Sequence, residues 1–199
     1  MSRELILSIT VLSFLLLGFK SRPAKLDIKA PSVQTDCSFD SSAINWLTWE
    51  EAVELQKIEK RKILVDIYTD WCGWCKRMEK TTFSDDSIAA YVNENYYPIK
   101  FNAEQKEPIK LGDKVYNFVK KANQKGRDHH ELALALTMGR LSYPSTVFLT
   151  EDFQVIQPIP GYKDAKEFEV IMTYFGGNFH LTTPWQKYQD NYVPLKKRK

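Results

Sequence analysis

Residues 63–76 constrain this chain more than any other stretch. Ile63-Leu64-Val65-Asp66-Ile67-Tyr68 is a short, almost wholly apolar run rich in β-branched residues. A run of this kind, without polar alternation, is the pattern of a central strand covered on both faces. It leads into Trp71-Cys72-Gly73-Trp74-Cys75-Lys76, where a helix is predicted to start at the cysteine pair and run through Met78 and Lys80. The leading sulfur then sits where unsatisfied backbone N–H groups and the positive end of the helix dipole stabilise a thiolate. Thiolate is the attacking species, and such positions lower a cysteine pKa from about 8.5 to as low as about 3.5–7.5. Cys75, one helical turn on, lies close enough to close a disulfide by expelling a bound partner thiol. Cys72 is therefore read as the nucleophile and Cys75 as the resolver of thiol–disulfide exchange through a mixed disulfide. Lys76 either adds positive field or faces solvent.

Two blander readings stand beside this one. A Cys-x-x-Cys is also half of a zinc site, but zinc normally takes four ligands, and His129, His130 and Cys37 lack finger-like spacing. A purely structural disulfide over so short a separation would constrain the unfolded chain little.

With 43% hydrophobic and 27% charged residues the chain is globular, and its 199 residues suit one domain with extensions. The net charge of +3 is small and lies partly at the ends, in Arg3, Lys20 and Arg22 and in Lys196-Lys197-Arg198-Lys199. There is no basic stripe of the kind nucleic-acid binding requires, so no nucleic-acid partner is expected. The terminal basic cluster reads as a solvated tail.

Residues 1–24 read as a targeting segment. Arg3 precedes an apolar run of about 15 residues, Leu5 to Phe19. That is short for a membrane span of about 20 residues and suited to a signal-peptide core. No clean small-x-small triplet follows Gly18, so a cleaved signal peptide and an uncleaved anchor both stay open. If Cys72 and Cys75 pair, Cys37 is left over as an exposed or loosely held thiol.

Residues 25–43, rich in Ser, Pro, Asp and Lys, read as a linker to a domain spanning 44–193, followed by the basic tail 194–199. Thr48 is the expected cap of a first helix closed by Lys57, Lys60, Arg61 and Lys62, and Asp85-Asp86 open another. Tyr97–Asn102 is the next predicted strand, with Pro98 at its start. Ile109-Lys110-Leu111 and Lys114–Phe118, joined by Gly112-Asp113, predict a hairpin. His129–Leu141 is predicted as a helix with Leu132, Ala133, Leu136 and Met138 on one arc, and His129 and His130 as surface or capping residues. Ser145–Leu149 and Gln154–Ile159 read as adjacent antiparallel strands. A helix capped by Asp164 and ended by Gly176-Gly177 follows, then a short aromatic helix around Trp185, Tyr188 and Tyr192.

Over residues 45–175 the sequence resembles the thioredoxin superfamily, and more closely its exported bacterial members. Asp66 stands at the family's spacing before the first cysteine, Lys100-Phe101-Asn102 resembles the family's lysine–asparagine element, and Tyr143-Pro144-Ser145-Thr146 resembles its cis-proline turn. Gly161 resembles a family glycine near the same surface. The resemblance implies an α/β, three-layer α/β/α sandwich with a mixed central sheet, here with a hairpin-plus-helix insertion at about 104–140 before the cis-proline. It implies that Asp66 accepts the proton of the resolving Cys75, that Lys100 pairs with Asp66, and that Trp71, Gly73, Trp74, Tyr143 and Pro144 meet the substrate. A buried carboxylate should have a raised pKa, which suits proton transfer; an aspartate at the strand end in water is the alternative. Gly73-Trp74 departs from the family's Gly-Pro and leaves the reduction potential open.

The implied activity is that of an exported, periplasmic protein-disulfide oxidoreductase, anchored to the inner membrane if its leader is uncleaved. It would reduce protein disulfides, with no cofactor or metal beyond the Cys72–Cys75 disulfide. Protein thiols and disulfides and an upstream electron donor or acceptor are the expected partners, and a monomer is the expected state. A disulfide oxidase or isomerase, and a non-catalytic binding module on the same fold, are the alternatives.

Overall fold

The computed structural model describes residues 43–121 and 127–197. The targeting segment, Cys37, the linker except its last residue, and Arg198 and Lys199 lie outside the described residues. In chain order the elements are α1 (Trp49–Ile58), β1 (Lys62–Tyr68), α2 (Gly73–Thr81), α3 (Asp86–Asn95), β2 (Tyr96–Asn102), β3 (Ile109–Leu111), β4 (Lys114–Tyr116), β5 (Phe118–Val119), β6 (His129–His130), α4 (Glu131–Leu136), β7 (Ser145–Leu149), β8 (Val155–Pro160), α5 (Ala165–Gly176) and α6 (Trp185–Asp190).

The main sheet has the order β2-β1-β7-β8. β1 runs parallel to β2 and antiparallel to β7, and β7 is antiparallel to β8, so the sheet is mixed. The two-residue period of β1 divides its side chains between two cores. Ile63, Val65 and Ile67 join Trp49, Leu132 and Leu136, and so pack beneath α1 and α4. Leu64 faces the other way, among Met78, Ile88, Phe168 and Phe175 of α2, α3 and α5. This is the expected three-layer α/β/α sandwich. By the same alternation Asp66 falls on the face that α2 covers.

Local chemistry explains most boundaries. Thr48 Oγ1 accepts the Glu51 N–H at 3.2 Å while Glu51 Oε2 accepts the Thr48 N–H at 2.8 Å, a reciprocal capping box. Thr48→Ala is expected to cost about 1 kcal/mol, read as a lower urea midpoint at an unchanged slope. Asp164 and Glu167 form the same device at the start of α5. Behind α5, α6 returns to the core through Tyr188, whose hydroxyl lies 3.0 Å from Thr173 Oγ1.

Several expected elements are corrected. Pro98 lies inside β2 rather than at its start; β2 is an edge strand, and the Pro98 carbonyl accepts the Leu47 N–H at 2.8 Å on the side away from β1. The missing Pro98 N–H therefore breaks no bond to the sheet. The hairpin forms at Gly112, but its second strand stops at Tyr116, because Phe118-Val119 pairs with His129-His130. Lys62 starts β1 instead of closing α1, and its ammonium meets Glu151 at 3.2 Å. Lys196 of the predicted tail reaches Asp85 at 3.3 Å.

The predicted helix over 129–141 is shorter at both ends. His129 and His130 form β6 and are buried. His130 Nδ1 caps α4 by accepting the Leu132 N–H at 3.2 Å, which leaves Nε2 as the donor to Glu107 O at 3.2 Å. The capping expectation thus holds for His130, and the surface placement for neither. At the other end the Gly139 N–H donates to Leu134 O at 2.8 Å, with Met138 and Gly139 in the left-handed region at φ 52° and 82°. That bond closes α4 and leaves Met138 exposed.

Candidate active site

β1 carries the chain to the start of α2, where Cys72 is the cap. Its Sγ accepts the Cys75 N–H at 3.1 Å, its carbonyl accepts the Lys76 N–H at 3.2 Å, and its own N–H donates to Thr69 O at 3.1 Å. Cys72 and Cys75 are joined by a disulfide with a Cα–Cα distance of 5.3 Å. No acidic residue occupies the first turn of α2, so nothing there opposes the positive end of the dipole.

A cleft of about 250 Å³ lies beside the disulfide, lined by Asp66, Thr69, Cys75, Glu79 and Lys100 among others. Asp66 is buried, and neither its Oδ1 nor the Thr69 hydroxyl has a hydrogen-bond partner among the described residues. Burial pushes the Asp66 carboxyl up to about 7; Lys100 opposes the rise and Glu79 adds to it.

Lys100 stands opposite Asp66 in the β1–β2 register, yet it does not pair with it. Its ammonium bonds Glu79 instead and lies 5.4 Å from the Tyr68 ring and 5.5 Å from the Trp46 ring. The expected Lys100–Asp66 pair is thereby corrected. Glu79 is half exposed, so pairing there avoids stripping water from an ammonium and a carboxylate together.

The Tyr143–Pro144 peptide is cis, and the Gly161 N–H donates to Pro144 O at 2.8 Å. Gly161 has φ 80°, a conformation that favours glycine. The Tyr143 ring meets Trp71 edge-on at 5.7 Å, while Trp74 lies 5.5 Å from Tyr162. Each indole carries a guanidinium: Arg127 lies 4.1 Å from the Trp71 ring centre, and Arg77 5.3 Å from that of Trp74. The Trp71 Nε1–H donates to both Glu104 oxygens at 3.0 Å. Trp71 and Trp74 remain half exposed. A Cβ at Gly73 would meet open space, with nothing within 4 Å.

Asp66, Cys75 and Lys100 thus share one cleft, and Trp71 and Tyr143 share one rim, while Trp74 sits with Tyr162. Sequence reasoning missed Thr69, Glu79, Glu104, Arg77, Arg127 and Tyr162 as neighbours of the pair. Glu79 was readable, since it lies four residues after Cys75 and so on the same face of α2. Among the described residues no cluster of His, Cys, Asp and Glu is arranged to hold a metal ion, and no helix is long and apolar enough to cross a membrane.

A family model described as a thioredoxin-like domain matches residues 49–176. The chain belongs to the thioredoxin-like family. The match of this thioredoxin-like protein begins with α1 and ends with α5, leaving α6 outside it. Its curated relatives include an uncharacterised protein of Caenorhabditis elegans, 28% identical over 122 residues, which are 61% of this chain and 14% of that one. Spermatogenesis-associated protein 20 of Rattus norvegicus is 29% identical over 84 residues, 42% of this chain and 10% of that protein. The thiol:disulfide interchange protein DsbD of Vibrio vulnificus is 38% identical over 45 residues, 23% of this chain and 8% of its own. The thioredoxin-like protein therefore matches a small fraction of the length of these relatives. Among solved structures, a thioredoxin from Thermus thermophilus is 16% identical with a TM-score of 0.46, over 72% of this chain and 99% of that one. The DsbD C-terminal domain of Neisseria meningitidis, in its oxidised form, is 19% identical with a TM-score of 0.39, over 65% and 90%.

Proposed function

We propose that this thioredoxin-like protein is an exported, periplasmic thiol–disulfide oxidoreductase that reduces disulfides in other proteins. One arrangement carries the reading: Cys72 Sγ caps α2 and is bonded to Cys75, which shares a cleft with the buried Asp66 carboxylate, whose Oδ1 has no hydrogen-bond partner among the described residues. The relative whose name is thiol:disulfide interchange protein supports it. Export rests on the targeting segment read in residues 1–24.

In the reduced protein the Cys72 thiolate attacks one sulfur of a partner disulfide. A Cys72–partner bond forms, the partner's S–S bond breaks, and the departing thiolate takes a proton from solvent. Asp66 then accepts the proton of Cys75. Its raised pKa of about 7 places that transfer near neutral pH, where a general base works best. The Cys75 thiolate attacks Cys72 Sγ, the Cys72–Cys75 bond forms as the Cys72–partner bond breaks, and the second partner sulfur leaves as a thiolate that takes a proton from solvent. Two electrons have passed to the partner, and an upstream thiol donor must return them.

The Cys75→Ser protein tests this reading, because it can form the mixed disulfide but cannot resolve it. It is expected to accumulate covalent adducts that dithiothreitol releases; their absence overturns the exchange mechanism. The direction is tested by the reduction potential. A value near about −270 mV supports a reductase, and one near about −120 mV makes the protein an oxidant instead.

A further inference from the structure

We infer that the insertion builds a second substrate subsite, a groove beside Trp71 and Tyr143 in which Arg127 receives an acidic side chain of the partner polypeptide close to its reactive cysteine. The inference rests on the oxidoreductase reading and adds to it which partners are preferred. The groove encloses about 650 Å³, and its lining includes Trp71, Tyr143, Lys121, Arg127 and Asp128. Trp71 adjoins Cys72 in sequence and Tyr143 adjoins the cis-proline. The groove therefore opens from the rim of the disulfide, where chain flanking a reacting cysteine must lie. Its other wall comes from Lys121, Arg127 and Asp128.

Both carboxylates at the groove already accept hydrogen bonds. Glu104 is engaged by the Trp71 indole through both oxygens. Asp128 Oδ1 accepts the Lys121 N–H at 2.8 Å. Arg127 forms no ion pair with a carboxylate of the described residues. Instead its guanidinium lies on the Trp71 ring at 4.1 Å; at the Tyr143 hydroxyl, which burial pushes up, the charge of Glu104 adds to the rise and that of Arg127 opposes it. An arginine held on an aromatic face is ordered before any ligand arrives, and its fork of donors suits a carboxylate. Asp or Glu on the partner supplies that carboxylate, while Lys or Arg would meet like charge.

The test uses peptide disulfides that differ only in carrying Asp, Ser or Lys beside the reacting cysteine. Rates are normalised for each protein to its turnover of hydroxyethyl disulfide, which is neutral and too small to fill the groove. The wild type is expected to prefer the Asp peptide over the Lys peptide by about fivefold in kcat/KM, the size of a single exposed charge pair. Arg127→Gln should abolish the preference, and Arg127→Glu should invert it. In the wild type it should also shrink as salt rises from 50 to 500 mM. Equal rates for the wild type, or an Asp preference surviving in Arg127→Glu, overturns the subsite and leaves the oxidoreductase reading standing. A wild type that turns over no disulfide, hydroxyethyl disulfide included, overturns the oxidoreductase reading itself, and the subsite with it.

Discussion

Replacing Cys72 by serine is expected to lower disulfide-reducing turnover by about a thousandfold or more, to the rate of the uncatalysed exchange. Charge at one sulfur atom decides the effect. The first turn of α2 directs its free N–H groups toward the capping side chain, and that field stabilises an anion only where one forms readily. A serine hydroxyl stays protonated at neutral pH and cannot use it. Cys75 does not take over, because it lies inside the helix and faces the Asp66 cleft. The fold should tolerate the change: a bridge between residues three apart in sequence restricts the unfolded chain little. Cys72→Ser should therefore match the reduced wild type in thermal midpoint while losing insulin reduction. Retained turnover would mean that the chemistry lies elsewhere.

What could be read in the sequence was local. The apolar run at 63–68 announces a strand covered on both faces, and the two cores above and below β1 follow from its two-residue period. The capping residues Thr48, Asp85 and Asp164 act within three residues of themselves. The elements misread were those decided at long range. Phe118-Val119 leaves the hairpin because His129-His130 offers a ladder, and no periodicity reports such a choice. The register of β1 and β2 sets Lys100 against Asp66, but a helix in another layer supplies a better-hydrated carboxylate in Glu79. Arg127 meets Trp71 although the two lie far apart in sequence. The cysteine pair was thus legible at the junction of one strand and one helix, whereas its charged surroundings depended on tertiary packing.

Asp66→Asn should change stability and catalysis in opposite directions. In the unfolded chain this aspartate titrates near 3.8, and in the folded protein burial raises it to about 7. Between those values the folded protein holds a proton that the unfolded chain has released, so stability falls as pH rises. Below the lower value the carboxyl is neutral in both states. Above the higher one the full cost of a buried carboxylate is present, about 4 kcal/mol from the pKa difference. Asparagine carries no such charge, so Asp66→Asn should be more stable than wild type at pH 8 by up to about 4 kcal/mol, and nearly equal to it at pH 3.5. Catalysis should suffer instead, because the amide cannot accept the Cys75 proton. Release of the partner from the Cys72 mixed disulfide is expected to slow by about a hundredfold at pH 7.5. In the wild type that release should fall as pH drops through about 7, where Asp66 becomes protonated. The variant should lose this inflection and keep only the dependence on the Cys75 thiol. Urea unfolding at the two pH values, with single-turnover release across pH 5–9, measures both effects. Unfolding free energies that differ equally at both pH values, or an inflection that survives in Asp66→Asn, would remove Asp66 from the proton path.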